Sequence, residues 1–169
     1  MTATAFKEKY MPYHQKMFRI AYRLLEDNND AEDIVQEAYI KLWNKREELV
    51  DIQNTESYCV VLLRNLCLDF LRVRNKHRMQ STEDTVISEE KILIDEIENT
   101  DEVGYIKTII EQLPEQQRQI VKLRHFDEYS NEEIEEIMGL TSVNTRVLLS
   151  RARKKIKELY LNNRKHYEK

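Results

Sequence analysis

Residues 131–156, NEEIEEIMGLTSVNTRVLLSRARKKI, carry the pattern that decides the fold. An acidic segment predicts a short helix over 131–138. Gly139 is a natural C-cap before Leu140, because glycine enters the left-handed region without penalty. Thr141 or Ser142 then caps a long basic helix running to about residue 161. Helix, glycine turn, polar cap and basic helix together follow the grammar of a helix-turn-helix. A helix entering the major groove presents its N-terminal side chains to base edges, while flanking cations hold phosphates. Ser142, Asn144, Thr145 and Arg146 are the candidate readers, and Arg151, Arg153, Lys154 and Lys155 the candidate phosphate holders. The plainer alternative is a solvated basic helix whose charge suits its macrodipole.

Composition extends this reading outward. The 169 residues include 2 Gly and 2 Pro against 34% charged residues. Apolar residues recur at helical spacing without strand-like alternation, so the chain is expected to be all-α, with two small helical domains. Cys59 and Cys67 lack metal-site spacing and read as core thiols. Nothing near Met1 resembles a signal peptide and no apolar run is long enough to span a bilayer. A cytoplasmic protein with no direct membrane insertion is expected.

The formal net charge is −4, but its distribution is uneven. Residues 141–169 carry nine Lys or Arg against two Glu, a net of +7, and residues 64–78 carry a net of +4. Residues 83–102 carry nine acids against one Lys, a net of −8. Two basic patches suited to DNA are thus joined by an acidic stretch, which reads as a flexible linker.

Apolar spacing predicts one helix over 6–26 from Met17, Ile20, Ala21, Leu24 and Leu25. A second begins at Asp30 as N-cap and buries Ile34, Ala38 and Leu42, with Trp43 read as core. A third spans 57–73, buried early and basic late. Beyond the linker, helices are expected over 103–112 and 117–126, with Pro114 tolerated in a first turn. On the second helix, Asp33, Gln36, Glu37 and Lys41 share one polar side by three- and four-residue spacing; a solvated face is the plain reading.

LPEQQRQIVKLRHFDEYSNEEIEEIMGL with the following basic helix resembles region 4 of bacterial RNA polymerase sigma factors. DAEDIVQEAYIKLW (30–43) and LLRNLCLDFLRVR (62–74) resemble the polymerase-binding and promoter-opening helices of region 2. The missing middle region resembles the small extracytoplasmic-function type. The resemblance implies a region-two-like helical bundle over 6–78, a linker over 79–101 and a region-four-like helix-turn-helix over 102–161. Asp33, Gln36, Glu37 and Lys41 would then meet the clamp helices of the polymerase's largest subunit, and region 4 would reach its flap. Gln53, Asn54, Arg64, Asn65, Arg72 and Arg74 would capture the unstacked minus-ten strand, and the helix-turn-helix residues the minus-thirty-five duplex. Asp69 reads equally as a structural partner of Arg72 or Arg64. The chain departs from the family's pattern at Val60-Val61, Leu148 and Glu135.

Promoter DNA, core polymerase and an anti-sigma factor are the implied partners, with no cofactor and no enzymatic activity. Scattered His14, His77, His125 and His166 offer no ligand cluster. An ordinary helix-turn-helix regulator, or a purely structural helical adaptor, is the competing reading. An inhibitor is expected to draw the two basic modules together into a compact state.

Overall fold

The computed structural model describes residues 1–80 and 102–167. Helix α1 (Ala3–Tyr10) starts at Thr2, whose hydroxyl accepts from the Ala5 amide at 3.2 Å. The single helix expected over 6–26 is broken, because a tight 3-10 turn (Met11–Tyr13) separates α1 from α2 (His14–Leu25). Pro12 is the physical reason: it lacks the amide hydrogen that a continuous helix would donate to the carbonyl four residues earlier, and it is accommodated in the opening turn of the 3-10 segment. Helix α3 (Asn28–Asn44) is capped by Asp27, which accepts from the Asp30 amide at 2.9 Å. Asp30, expected as the cap, sits inside the first turn, where its charge suits the positive helix end.

Helix α4 (Thr55–Gln80) exceeds its expected span at both ends and enters the first two residues read as linker. The rest of that linker lies outside the described residues. Asn54 caps α4, accepting from the Ser57 amide at 3.0 Å. Helix α5 (Glu102–Glu111) precedes α6 (Glu115–His125), whose N-cap position, not its first turn, is Pro114. Helix α7 (Asn131–Met138) begins with a reciprocal box in which Ser130 and Glu133 satisfy each other's backbone amides. Gly139 closes it in the left-handed region at φ 66°. Thr141 caps α8 (Ser142–Tyr167) by accepting from the Asn144 amide at 3.1 Å, and α8 runs past residue 161. No strand occurs among the described residues.

Met17, Ile20, Leu24, Val35, Leu42 and Leu63 fill the core of the first bundle, and Ile109, Ile120, Leu123, Ile134, Ile137 and Leu149 that of the second. Cys59 and Cys67 are buried free thiols, each pushed up to about 12 mainly by desolvation, so they are inert packing groups. Trp43, expected in the core, is 36% exposed and lies against Phe6 and the Arg46 guanidinium.

The two bundles join. Helix α2 lies against α6, and α4 against α7. Arg23 forms a bidentate pair with Asp127, both bonds 2.8 Å, and Arg118 forms another with Glu26, both 2.7 Å. The buried Gln119 amide donates to the Leu24 carbonyl at 3.1 Å.

Gly139 yields the first prediction. A Cβ there would meet left-handed strain and stand 3.3 Å from Arg64 Nη1. Gly139→Ala should destabilise the chain by about 1 to 2 kcal/mol in urea unfolding, the usual cost of that backbone for a substituted residue. An unchanged midpoint would contradict this.

Candidate nucleic-acid interface

The start of α8 is built as an exposed reading edge. Ser142, Asn144 and Arg146 are exposed, as are Arg151, Arg153, Lys154 and Lys155 farther along. Thr145 corrects the expectation that it reads bases. It is fully buried, and its hydroxyl donates to the Thr141 carbonyl at 2.9 Å. It faces inward because α8 needs one side to cover the second core, where Leu149 and Ala152 follow it at helical steps. Thr145 therefore sets the orientation of α8, and its exposed neighbours form the edge. His125, near Arg153 and Arg124, is held below the usual imidazole range, chiefly by burial and then by those cations. It is thereby biased toward neutrality beside the basic helix.

The basic half of α4 is arranged differently. Asn65, Arg72 and Gln53 are exposed, and Arg64 and Arg74 are partly covered. Arg72 pairs with Asp69 at 3.2 Å, the structural partnership left open from sequence, while Arg74 lies 3.8 Å from Asp30. Arg64 bonds the Asn65 side-chain oxygen through Nη2 at 3.1 Å and donates through Nη1 to the Glu136 carbonyl at 3.0 Å. Asn54 is committed to capping α4, although its side chain remains exposed.

On α3, Asp33, Gln36, Glu37 and Lys41 all stand exposed on the side opposite Ile34, Ala38 and Leu42. Lys41 lies 3.4 Å from Glu37 within this face. Sequence reasoning passed over Arg23, Glu26, Arg118, Gln119, Asp127 and Glu136. Each looks like an ordinary solvated polar side chain, and nothing local signals a partner about a hundred residues away. No group of acidic, histidine or cysteine side chains suited to a metal occurs among the described residues. No described helix is long and apolar enough to cross a membrane.

Comparison with known proteins gives this geometry its class. The Sigma-70 region 2 family matches residues 10–77, and the Sigma-70, region 4 family matches residues 104–156. RNA polymerase sigma factor SigV of Bacillus subtilis is 30% identical over 142 residues, covering 84% of this chain and 82% of that protein. ECF RNA polymerase sigma factor SigW of the same organism is 26% identical, covering 92% of this chain and 90% of that protein. Among solved structures, the sigma factor RpoE of Bartonella quintana, in complex with the anti-sigma factor NepR, superposes with a TM-score of 0.63 at 22% identity. That match covers 94% of this chain and 98% of the other. The chain belongs to the sigma-70 family of RNA polymerase sigma factors and to its extracytoplasmic-function branch, a family of transcription initiation.

The second prediction concerns pH. Glu133 is held below the usual carboxylate range, first by the Ser130 backbone amide and also by Lys16. A carboxyl lowered on folding stabilises the folded state above its unfolded value, and that contribution disappears as pH falls through its folded value. Acidification below the ordinary carboxylate range should therefore weaken the start of α7, and Glu133→Gln should flatten this part of the stability profile. Identical acid profiles for the two proteins would count against it.

Proposed function

We propose that the chain binds core RNA polymerase, directs it to specific promoters and promotes melting without ATP. The observation that carries this reading is the coexistence of three surfaces on one sigma-family chain. These are the exposed polar face of α3, the basic half of α4, and the exposed start of α8. In this reading, residues 6–78 form the polymerase-binding and minus-ten module, 79–101 a tether, and 102–161 the minus-thirty-five module.

Asp33, Gln36, Glu37 and Lys41 meet the clamp helices of the largest polymerase subunit, while the second module reaches the flap. Ser142, Asn144 and Arg146 address base edges in duplex DNA, with Arg151, Arg153 and Lys154 on phosphates. Thr145 supports that edge from within. Asn65, Arg64, Arg72 and Arg74, with Gln53 and Asn54 in the neighbouring loop, take the unstacked strand, offsetting a few kcal/mol of unstacking per base. Since RpoE of Bartonella quintana is solved with an anti-sigma factor, an anti-sigma factor is the natural regulator here too. The protein works in the cytoplasm, with no catalytic chemistry of its own.

The test is holoenzyme assembly. Asp33→Lys with Glu37→Lys reverses charge on the α3 face while leaving its buried side intact. It should lower affinity for core polymerase at least about tenfold, equivalent to about 1.4 kcal/mol, with helicity unchanged. Unaltered core binding would overturn the assignment of that face.

The two DNA surfaces should also fail differently. Arg146→Ala should cost about 1 to 3 kcal/mol at one upstream position of duplex DNA. Lys154→Ala should weaken all sequences and reduce the salt slope by about one unit. Asn65→Ala should spare duplex binding but reduce permanganate reactivity of melted thymines, a defect that a premelted bubble lessens. Equal losses in duplex binding and melting for Asn65→Ala and Arg146→Ala would contradict the division.

A further inference from the structure

The outward side of α8 has an apolar centre. Val143 and Val147 are 59% and 39% exposed and lie four residues apart on one face. At about 100° per residue, that face points away from Thr145, Leu149 and Ala152, the residues that α8 buries. Ser150 and Lys154, also exposed, continue the same strip. By the same helical steps, Ser142 and Arg146 flank the strip on one side, and Asn144 and Arg151 on the other. The polar residues assigned above to base edges thus stand at the shoulders of the helix, and the two valines stand at its crest.

Single apolar side chains on a surface are ordinary, but this pair contributes little to the fold. Neither valine joins the buried core, and valine at an exposed helix position brings no favourable helix propensity. The surrounding cations, Arg146, Arg151, Arg153 and Lys154, match a polyanion. Duplex DNA combines phosphates with one apolar group on the base edges of its major groove, the 5-methyl of thymine. A helix held by phosphates at its shoulders brings its crest closest to those edges. Valine suits the contact, because its branched side chain is stiff in a helix and loses little freedom on binding. Four residues of helix rise about 6 Å, close to two base-pair steps of about 3.4 Å.

We propose that Val143 and Val147 are specificity-determining residues that read thymine methyl groups in the major groove of the upstream promoter duplex. The proposal rests on the duplex-reading assignment of α8 and deepens it. The charged and polar neighbours fix the helix on the backbone and on the flanking base edges. The valines select thymine at two positions about two base steps apart, on either strand. Cytosine at such a position lacks the methyl, so the valine meets no apolar partner there.

The test uses holoenzyme assembled from the intact chain and core polymerase, offered random-sequence duplexes long enough to span both promoter elements. Selection should enrich an upstream motif with thymine at two positions about two steps apart. The enriched duplex is then rebuilt with deoxyuridine at one of those positions, which keeps every hydrogen-bonding group and removes only the methyl. Wild-type affinity should fall about fourfold per methyl, the size expected for withdrawing one methyl from an apolar contact. Val143→Ala and Val147→Ala should each become indifferent to uracil at one position and respond normally at the other, with helicity unchanged by circular dichroism. Uracil without effect on the wild type, or with the same effect on wild type and variants, would overturn the inference and leave duplex reading by α8 intact. Absence of any enriched upstream motif, with Lys154→Ala binding as tightly as wild type, would overturn that reading and the inference with it. Association of the free chain that Val147→Asp abolishes, without methyl dependence on DNA, would assign the strip to a second copy instead.

Discussion

Arg64 lies across the turn between α7 and α8, and much of the molecule's arrangement is fixed by that close approach. The turn has no Cβ at Gly139, and the position a Cβ would take is 3.3 Å from Arg64 Nη1. The same glycine supplies the left-handed backbone that ends α7, with the Leu140 amide closing back on the Glu135 carbonyl at 3.0 Å. One residue thus ends the acidic helix, starts the geometry of the basic one and admits the arginine of the other module. Beyond the turn, Thr145, Leu149 and Ala152 are buried against the second module's own core, and the opposite side of α8 faces outward.

Charge explains why a chain of net charge −4 belongs to a DNA-directed family. The acids concentrate in residues 83–102, in α7 and at the joint between the modules, while cations concentrate in the late part of α4 and along α8. Complementary charge also works inside the molecule: Lys16, Arg23, Arg64 and Arg118 each meet an acidic side chain or a helix carbonyl of the other module or its own. Contacts of this kind are weaker than an apolar core per unit area and more responsive to competing ions.

The helices and their buried faces were legible because apolar spacing is a local property. The 131–138 helix, the Gly139 turn and the burial of Met17, Ile20 and Leu24 all follow from it. Two of the misplaced boundaries in the first module have local causes that propensity understates. Pro12 divides the first helix, and Asp27 captures the cap ahead of Asp30. The Thr145 error came from treating the N-terminus of α8 as uniformly exposed; its four-residue step to Leu149 was the available signal. The joint between modules was not legible. Arg23, Asp127 and Glu136 have no mark distinguishing them from solvated charges, and their pairing is a tertiary fact.

The central proposal is that this chain, whose two modules are joined in the structure, binds core RNA polymerase and spreads them to reach both promoter elements. Single-molecule energy transfer between a donor on the exposed face of α1 and an acceptor on the exposed face of α8 measures this directly. The free chain should show one high-efficiency population, and saturating core polymerase should replace it with a low-efficiency one. A high-efficiency population that persists in the polymerase-bound complex would contradict the account.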